Sequence, residues 1–221
     1  MRKLNSKLLY VFCALLFFSA FTSGKKDIIT IFMIGDSTMA NKSLKNGNIE
    51  RGWGQMLPEF LIGDVRVDNH AMNGRSSQSF IDEGRWDVVL SKLKSGDYVF
   101  IQFGHNDEKS AEKLHTVPGS TFDENLRRFV RETRAKGAYP VLFNSIVRRN
   151  FPPEGATENK GSYEMEGNTL VDTHGEYLES PRRVAKEMNV PFVDMNKLTH
   201  DLVVGMGVPQ YMLTYTSAEP S

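Results

Sequence analysis

Ile28-Ile29-Thr30-Ile31-Phe32-Met33-Ile34-Gly35-Asp36-Ser37-Thr38 is the stretch on which the fold turns. Residues 28–34 are apolar almost without a break, rich in β-branched side chains, and end at Gly35. A strand with one wet face alternates polar and apolar residues. A strand covered on both faces does not, and in a parallel sheet it reads as a continuous apolar run. Working outward, residues 65–67, 98–103, 139–146 and 190–193 read as four more strands. Helical stretches lie between them, at 53–61 and 86–93. Thr121-Phe122-Asp123-Glu124 reads as a capping box. It opens a helix with Phe122, Leu126, Phe129 and Val130 on one stripe, closed by Gly137. Ser180-Pro181 reads as an N-cap with proline in the first turn, and that helix runs to about Met188. Residues 147–169 are polar, with Pro152, Pro153, Gly155 and Gly161, and read as an excursion over the active face. Strands alternating with helices predict an α/β fold, a parallel sheet covered on both faces.

The chain has 221 residues, enough for one domain and at most two. Lys+Arg and Asp+Glu are 27 each, so there is none of the basic excess that nucleic-acid binding calls for. With 40% hydrophobic and 24% charged residues, the composition excludes wholesale disorder and a multi-span membrane protein. Arg2, Lys3 and Lys7 precede an apolar run at 8–21, then Thr22, Ser23 and Gly24. Residues 1–24 therefore read as a secretory signal peptide, with an uncleaved anchor as the alternative. Cys13, in that run, is the one cysteine and reads as apolar filler. A chain exported without disulfides suits a bacterial periplasm or the cell exterior, with no membrane span after cleavage.

In an open parallel sheet, ligands bind beyond the carboxyl ends of the strands. Three polar loops fall there: Gly35-Asp36-Ser37-Thr38, residues 69–77, and Gly104-His105-Asn106-Asp107. Ser37 is the candidate nucleophile, at a strand-to-helix turn whose backbone N–H groups favour an anion. Its bland alternative is a helix cap. Asn106 can donate its side-chain amide to an oxyanion and Gly74 its backbone N–H. Their alternatives are an Asx turn and a plain turn glycine.

Together these blocks resemble the SGNH hydrolase superfamily, the GDSL-like esterases. The Ser block is Gly35-Asp36-Ser37, followed by Gly74 and by Gly104-His105-Asn106-Asp107. Gly35-Asp36-Ser37-Thr38-Met39-Ala40, Gly52-Trp53-Gly54 and residues 69–77 are similar to the rhamnogalacturonan acetylesterase branch. The resemblance covers about residues 28–207. It implies a flavodoxin-like, five-stranded three-layer α/β/α sandwich and a two-step acyl transfer with no metal or cofactor. Ser37 would attack an acetyl ester, and Ser37 N–H, Gly74 N–H and the Asn106 amide would form the oxyanion hole. The implied substrate is an acetylated polysaccharide or oligosaccharide of the pectic type; no nucleic acid is expected.

The family takes its general base from a D-x-x-H block near the C-terminus, and no such spacing occurs in these 221 residues. Residues 25–207 therefore read as an incomplete hydrolase domain lacking its last helix, and 208–221 as an atypical tail without a helical stripe. His174, in Asp172-Thr173-His174-Gly175, and His200 are possible substitutes, each with a local structural alternative. His105 is expected to make a structural hydrogen bond and His70 to pack at the end of the second strand. The pairs Asp68/His70 and Asp172/His174 make a metal site only if their loops meet, and none is expected. Trp53 and Trp86 read as packing. Phe151 or Tyr163 could stack on a sugar, and Arg148 and Arg149 could meet an acidic substrate. Asn41-Lys42-Ser43 matches a glycosylation sequon, a common chance match. Two rival readings stand beside the acetylesterase: an inactive remnant or glycan binder, and an SGNH lipase or lysophospholipase.

Overall fold

A computed structural model describes residues 28–148, 150–152 and 169–215, with side chains through Met206. Residues 1–24, read above as a signal peptide, Arg149, Pro153, Gly155, Gly161, Tyr163 and residues 216–221 lie outside the described residues. Five strands form one all-parallel sheet in the order β2-β1-β3-β4-β5. They are β1 (Ile29–Gly35), β2 (Val65–Asn69), β3 (Tyr98–Gln102), β4 (Tyr139–Phe143) and β5 (Phe192–Val193). The α-helices are α1 (Trp53–Met56), α2 (Ser77–Asp82), α3 (Arg85–Lys92), α4 (Thr121–Ala135), α5 (Glu179–Met188) and α6 (Met195–Tyr215). The chain winds outward from β1 to β2, then crosses back to β3. That reversal opens a crevice between the carboxyl ends of β1 and β3, where doubly wound folds bind ligands.

The continuous apolar run of β1 does feed two cores. Phe32 and Ile34, with Val99, Ile101 and Leu142, pack against Phe80, Trp86 and Val89, against Phe122, Leu126, Phe129 and Val130 of α4, and against Val184 and Ala185 of α5. Ile31 and Met33 face the other way, onto Met39, Ala40 and Ala71, with Trp53, Leu57 and Leu61 over them. This second layer is thin. Tyr98 and Phe100 are only partly buried beneath it and Tyr139 is 56% exposed.

Several element boundaries differ from the sequence expectation, each for a local reason. The helix read over 53–61 is α1 followed by a 3-10 turn, Leu57–Phe60. Pro58 has no N–H for the carbonyl of residue 54, so the ladder tightens. The expected box at Thr121 does not form. Thr121 Oγ1 accepts from the Val117 N–H at 2.8 Å and Asp123 Oδ1 from the Gly119 N–H at 2.8 Å, while Glu124 turns to Arg131. Both carboxyl and hydroxyl reach back to the preceding turn, and α4 starts at Thr121 itself. The true capping box is Ser76 with Ser79, at the start of α2. Ser180 and Pro181 lie inside the first turn of α5 rather than at its cap; proline is tolerated there because that turn's N–H groups have no intrahelical partner. A helix also follows β5. α6 runs through Tyr215, into the stretch read as an atypical tail without a helical stripe, since backbone propagation needs no apolar stripe. Among the described residues, no helix is long and apolar enough to cross a membrane.

Candidate active site

β1 stops at Gly35 and the chain turns at once. The Asp36 carbonyl accepts the N–H groups of Met39 at 3.3 Å and Ala40 at 3.0 Å. Asp36 Oδ1 accepts the Thr38 N–H at 2.9 Å and hydroxyl at 2.8 Å. Asp36, not Ser37, therefore does the capping. Ser37 is half-buried, and its side chain makes no hydrogen bond among the described residues. Asp36 is fully buried with Oδ2 unpartnered among the described residues. Burial pushes its carboxyl up; the Thr38 bonds and the charges of His174 and Arg148 pull it back.

The Gly52-Trp53-Gly54 block holds this turn from behind. Trp53 N–H donates to the Thr38 carbonyl at 2.9 Å, and a Cβ on Gly52 would stand 2.0 Å from the Ala40 carbonyl oxygen. Only glycine fits that approach. The Trp53 indole N–H donates to Gln102 Oε1, and Gln102 Nε2 donates to Thr38 Oγ1 at 2.9 Å. Trp53 is thus a packing residue that also braces the Ser37 turn against β3.

The second loop returns to the first through the Met72 N–H, which donates to the Gly35 carbonyl at 2.9 Å. Gly74 is exposed at φ +75°, a left-handed conformation that glycine adopts without a Cβ clash. The third loop is locked to the second. Asn106, 3% exposed, donates its side-chain amide to the Arg75 carbonyl at 3.0 Å. Its side chain therefore crosses to the neighbouring loop rather than closing an Asx turn. One amide hydrogen is spent there, leaving a second. Asp107 is fully buried and accepts from the Ser77 N–H (3.0 Å), Ser77 Oγ (2.5 Å), Thr116 Oγ1 (3.0 Å) and the Gly104 N–H (3.1 Å). Burial outweighs those bonds and pushes its carboxyl up to about 7. The structure thus places Ser37, Gly74 and Asn106 after β1, β2 and β3 on one sheet edge, in loops tied to one another.

Each histidine is engaged with a neighbouring group. His174 is buried; its Nδ1 faces the Asp172 carboxylate at 3.1 Å and its Nε2 meets His105 Nδ1. Both nitrogens are therefore engaged. His70 meets Asp68 at 3.2 Å at the end of β2, His115 bonds the Lys109 carbonyl, and His200 lies on α6, 3.6 Å from Asp201. Among the described residues, no hydrogen bond joins a histidine to Ser37. The pairs Asp68/His70 and Asp172/His174 do not meet: the first ends edge strand β2 beside Lys92, and the second is held by Asn196, beyond β5 at the opposite edge. Arg148 is engaged within the protein. It pairs with Glu108 and donates to the His105 carbonyl at 3.0 Å. Phe151 is buried with Val203, Leu170 and Met206, which leaves no face for a sugar. The contact between His105 and His174 was not legible from sequence, because 69 residues separate them. The Asp-x-His spacing at 172–174 was its only signal.

The profile of the GDSL-like Lipase/Acylhydrolase family matches residues 33–213. Among curated proteins, the chain is 34% identical over 196 residues to rhamnogalacturonan acetylesterase RhgT of Bacillus subtilis, covering 89% of this chain and 77% of that one. It is 30% identical over 166 residues to a second B. subtilis protein, "Probable rhamnogalacturonan acetylesterase YesY", covering 75% and 69%. Among solved structures it matches protein YxiM of B. subtilis with a TM-score of 0.69 and 28% identity, over 84% of this chain and 49% of that one.

Proposed function

The chain belongs to the GDSL-like lipase/acylhydrolase family of the SGNH hydrolases, and we propose that it removes acetyl groups from a pectic polysaccharide of the rhamnogalacturonan type. The observation that carries this reading is the convergence of the Ser37, Gly74 and Asn106 loops on one sheet edge, in the order the family uses. The similarity to RhgT and YesY supports the substrate class. In this reading Ser37 Oγ adds to the acetyl carbonyl as its proton passes to a base. The resulting oxyanion is held by the N–H groups of Ser37 and Gly74 and by the free Asn106 amide hydrogen. Collapse releases the sugar hydroxyl, which takes up a proton. Water then adds to the acetyl-serine and frees acetate. Donors fixed by the Asp107 and Asn106 tethers need no rearrangement as the charge develops. The basic and apolar start at residues 1–24 supports action outside the cytoplasm.

A second reading has its own observation. The 221 residues hold no Asp-x-x-His, and His174 spends both ring nitrogens on Asp172 and His105. In this second reading these residues bind acetylated glycan without turning it over. Acetate release from acetylated rhamnogalacturonan fragments, alongside Ser37→Ala, separates the two. Release above the variant supports the esterase. Binding by both proteins with no release supports the binder. A preference for longer acyl esters over acetate would instead move the reading to a lipase.

A further inference from the structure

Asp172, His174 and His105 form a hydrogen-bonded series that ends in the loop carrying Asn106. Asp172 accepts from Asn196 Nδ2 at 2.7 Å, from the His174 N–H at 2.8 Å, and faces His174 Nδ1 at 3.1 and 3.2 Å. Burial works to raise this carboxyl, but the His174 bond and charge, with Asn196, hold it well below the usual carboxylate range. A carboxylate can only accept, so His174 Nδ1 carries the hydrogen. On its other side, His174 Nε2 hydrogen-bonds His105 Nδ1. The two rings lie within 7° of one plane with centroids 4.5 Å apart. The His105 carbonyl is held at the same time by Arg148.

The groups around His105 act in one direction. Burial and the charges of His174, Arg148 and Lys109 hold its ring neutral, against Asp172 alone. One residue on, Asn106 is anchored on its other side by Arg75, and Asp107 by Ser77 and Thr116. The 104–107 loop is therefore clamped from two sides. One clamp is built from the loop after β2 and the approach to α4, the other from residues 172–174 on the far side of the long excursion.

We propose that Asp172 and His174 are positioning residues: they fix the tautomer and plane of His105, and through it hold the Asn106 amide in line with the substrate oxyanion. This rests on the reading of Asn106 as an oxyanion donor. It assigns to the Asp-x-His at 172–174 a role in aligning a donor, distinct from taking the Ser37 proton.

The test uses the full chain, His174→Ala, and the near-isosteric Asp172→Asn in case the first variant folds poorly. Side-chain nitrogen NMR of 15N-labelled protein reads tautomers and amides. In the unaltered chain, His105 is expected as a single tautomer, staying neutral well below its ordinary range. In either variant it should mix tautomers and titrate nearer about 6.5, and the Asn106 side-chain amide signals should move. Unchanged His105 and Asn106 signals in a folded variant overturn the proposal. Kinetics give a second reading. His174→Ala should lower kcat for acetate release about tenfold with KM little changed, a fraction of the loss from removing the donor itself. In an Asn106→Ala background it should cost nothing further; an equal loss in both backgrounds contradicts action through Asn106. If the unaltered chain shows no Ser37-dependent release, the esterase reading fails on its own, and the NMR result still decides whether the clamp exists.

Discussion

Ser37 sits two residues past the end of β1, with Asp36 doing the capping that would otherwise have occupied it. Division of labour at neighbouring positions recurs in the third loop, where Asn106 ties to the Arg75 carbonyl with one amide hydrogen to spare and Asp107 holds the loop in place. Replacing Asn106 with Ala removes the proposed side-chain donor, and kcat for acetate release should fall about 10²–10³-fold. A loss confined to KM would mean that Asn106 binds substrate and does not stabilise the transition state. Asp107 carries a pH prediction of opposite sign to the usual carboxylate. Burial pushes its folded pKa up to about 7, above the ordinary 3.8, so the folded state binds the extra proton between those values. Stability from this group therefore grows as pH falls from about 7 toward 4 and is absent above 7. His105, held neutral by burial, works against it below its ordinary range, so the comparison must be with a variant. The unfolding temperature of the unaltered chain minus that of Asp107→Asn should widen between pH 7.5 and 5. A constant or narrowing gap would show that the Asp107 proton is not taken up on folding. That Ser37, Gly74 and Asn106 share one sheet edge was readable, because each lies within about five residues of the end of its strand. The His105–His174 contact was not, since only the folded sheet edge brings the two together.

At the scale of elements, periodicity served better than end signals. Phe122, Leu126, Phe129 and Val130 are buried as their spacing requires, yet the box expected at Thr121 gives way to bonds into the turn before it. Several side chains can cap a helix start, and tertiary neighbours choose among them. The box that does form, Ser76 with Ser79, tethers the start of α2 directly after the Gly74 loop. Ser76→Ala should cost about 1 kcal/mol in urea unfolding. No loss would mean the Asp107–Ser77 tie alone holds that end. Trp86 is fully buried, edge-on to Phe129 at 5.1 Å, with its indole N–H on Glu132. Trp86→Ala should cost about 3–5 kcal/mol; a change under 1 kcal/mol would contradict the packing of α3 on α4.

Over the whole molecule, the two faces of the sheet are unequally covered. Four helices seal one face. The other carries α1, a 3-10 turn and a partly exposed band at Tyr98, Phe100 and Tyr139. The α/β class and the parallel sheet were legible from strands alternating with helices and from the continuous apolar run of β1, the mark left by a strand buried on both faces. The thinness of one layer was not, because it depends on where connections travel. α6 illustrates this: Val203 and Met206 pack with Phe151 and Leu170, while Leu198, Leu202 and Val204 stay exposed. Hydrogen exchange should find β1, β3 and α4 protected up to global unfolding and α6 opening well before them. Equal protection of α6 and α4 would contradict this weak packing. Acetate release from acetylated rhamnogalacturonan fragments, by the folded chain and by Ser37→Ala, tests the central claim most directly. The account predicts release that disappears with the Ser37 hydroxyl. Equal release from both proteins, or none from either with both folded, would contradict it.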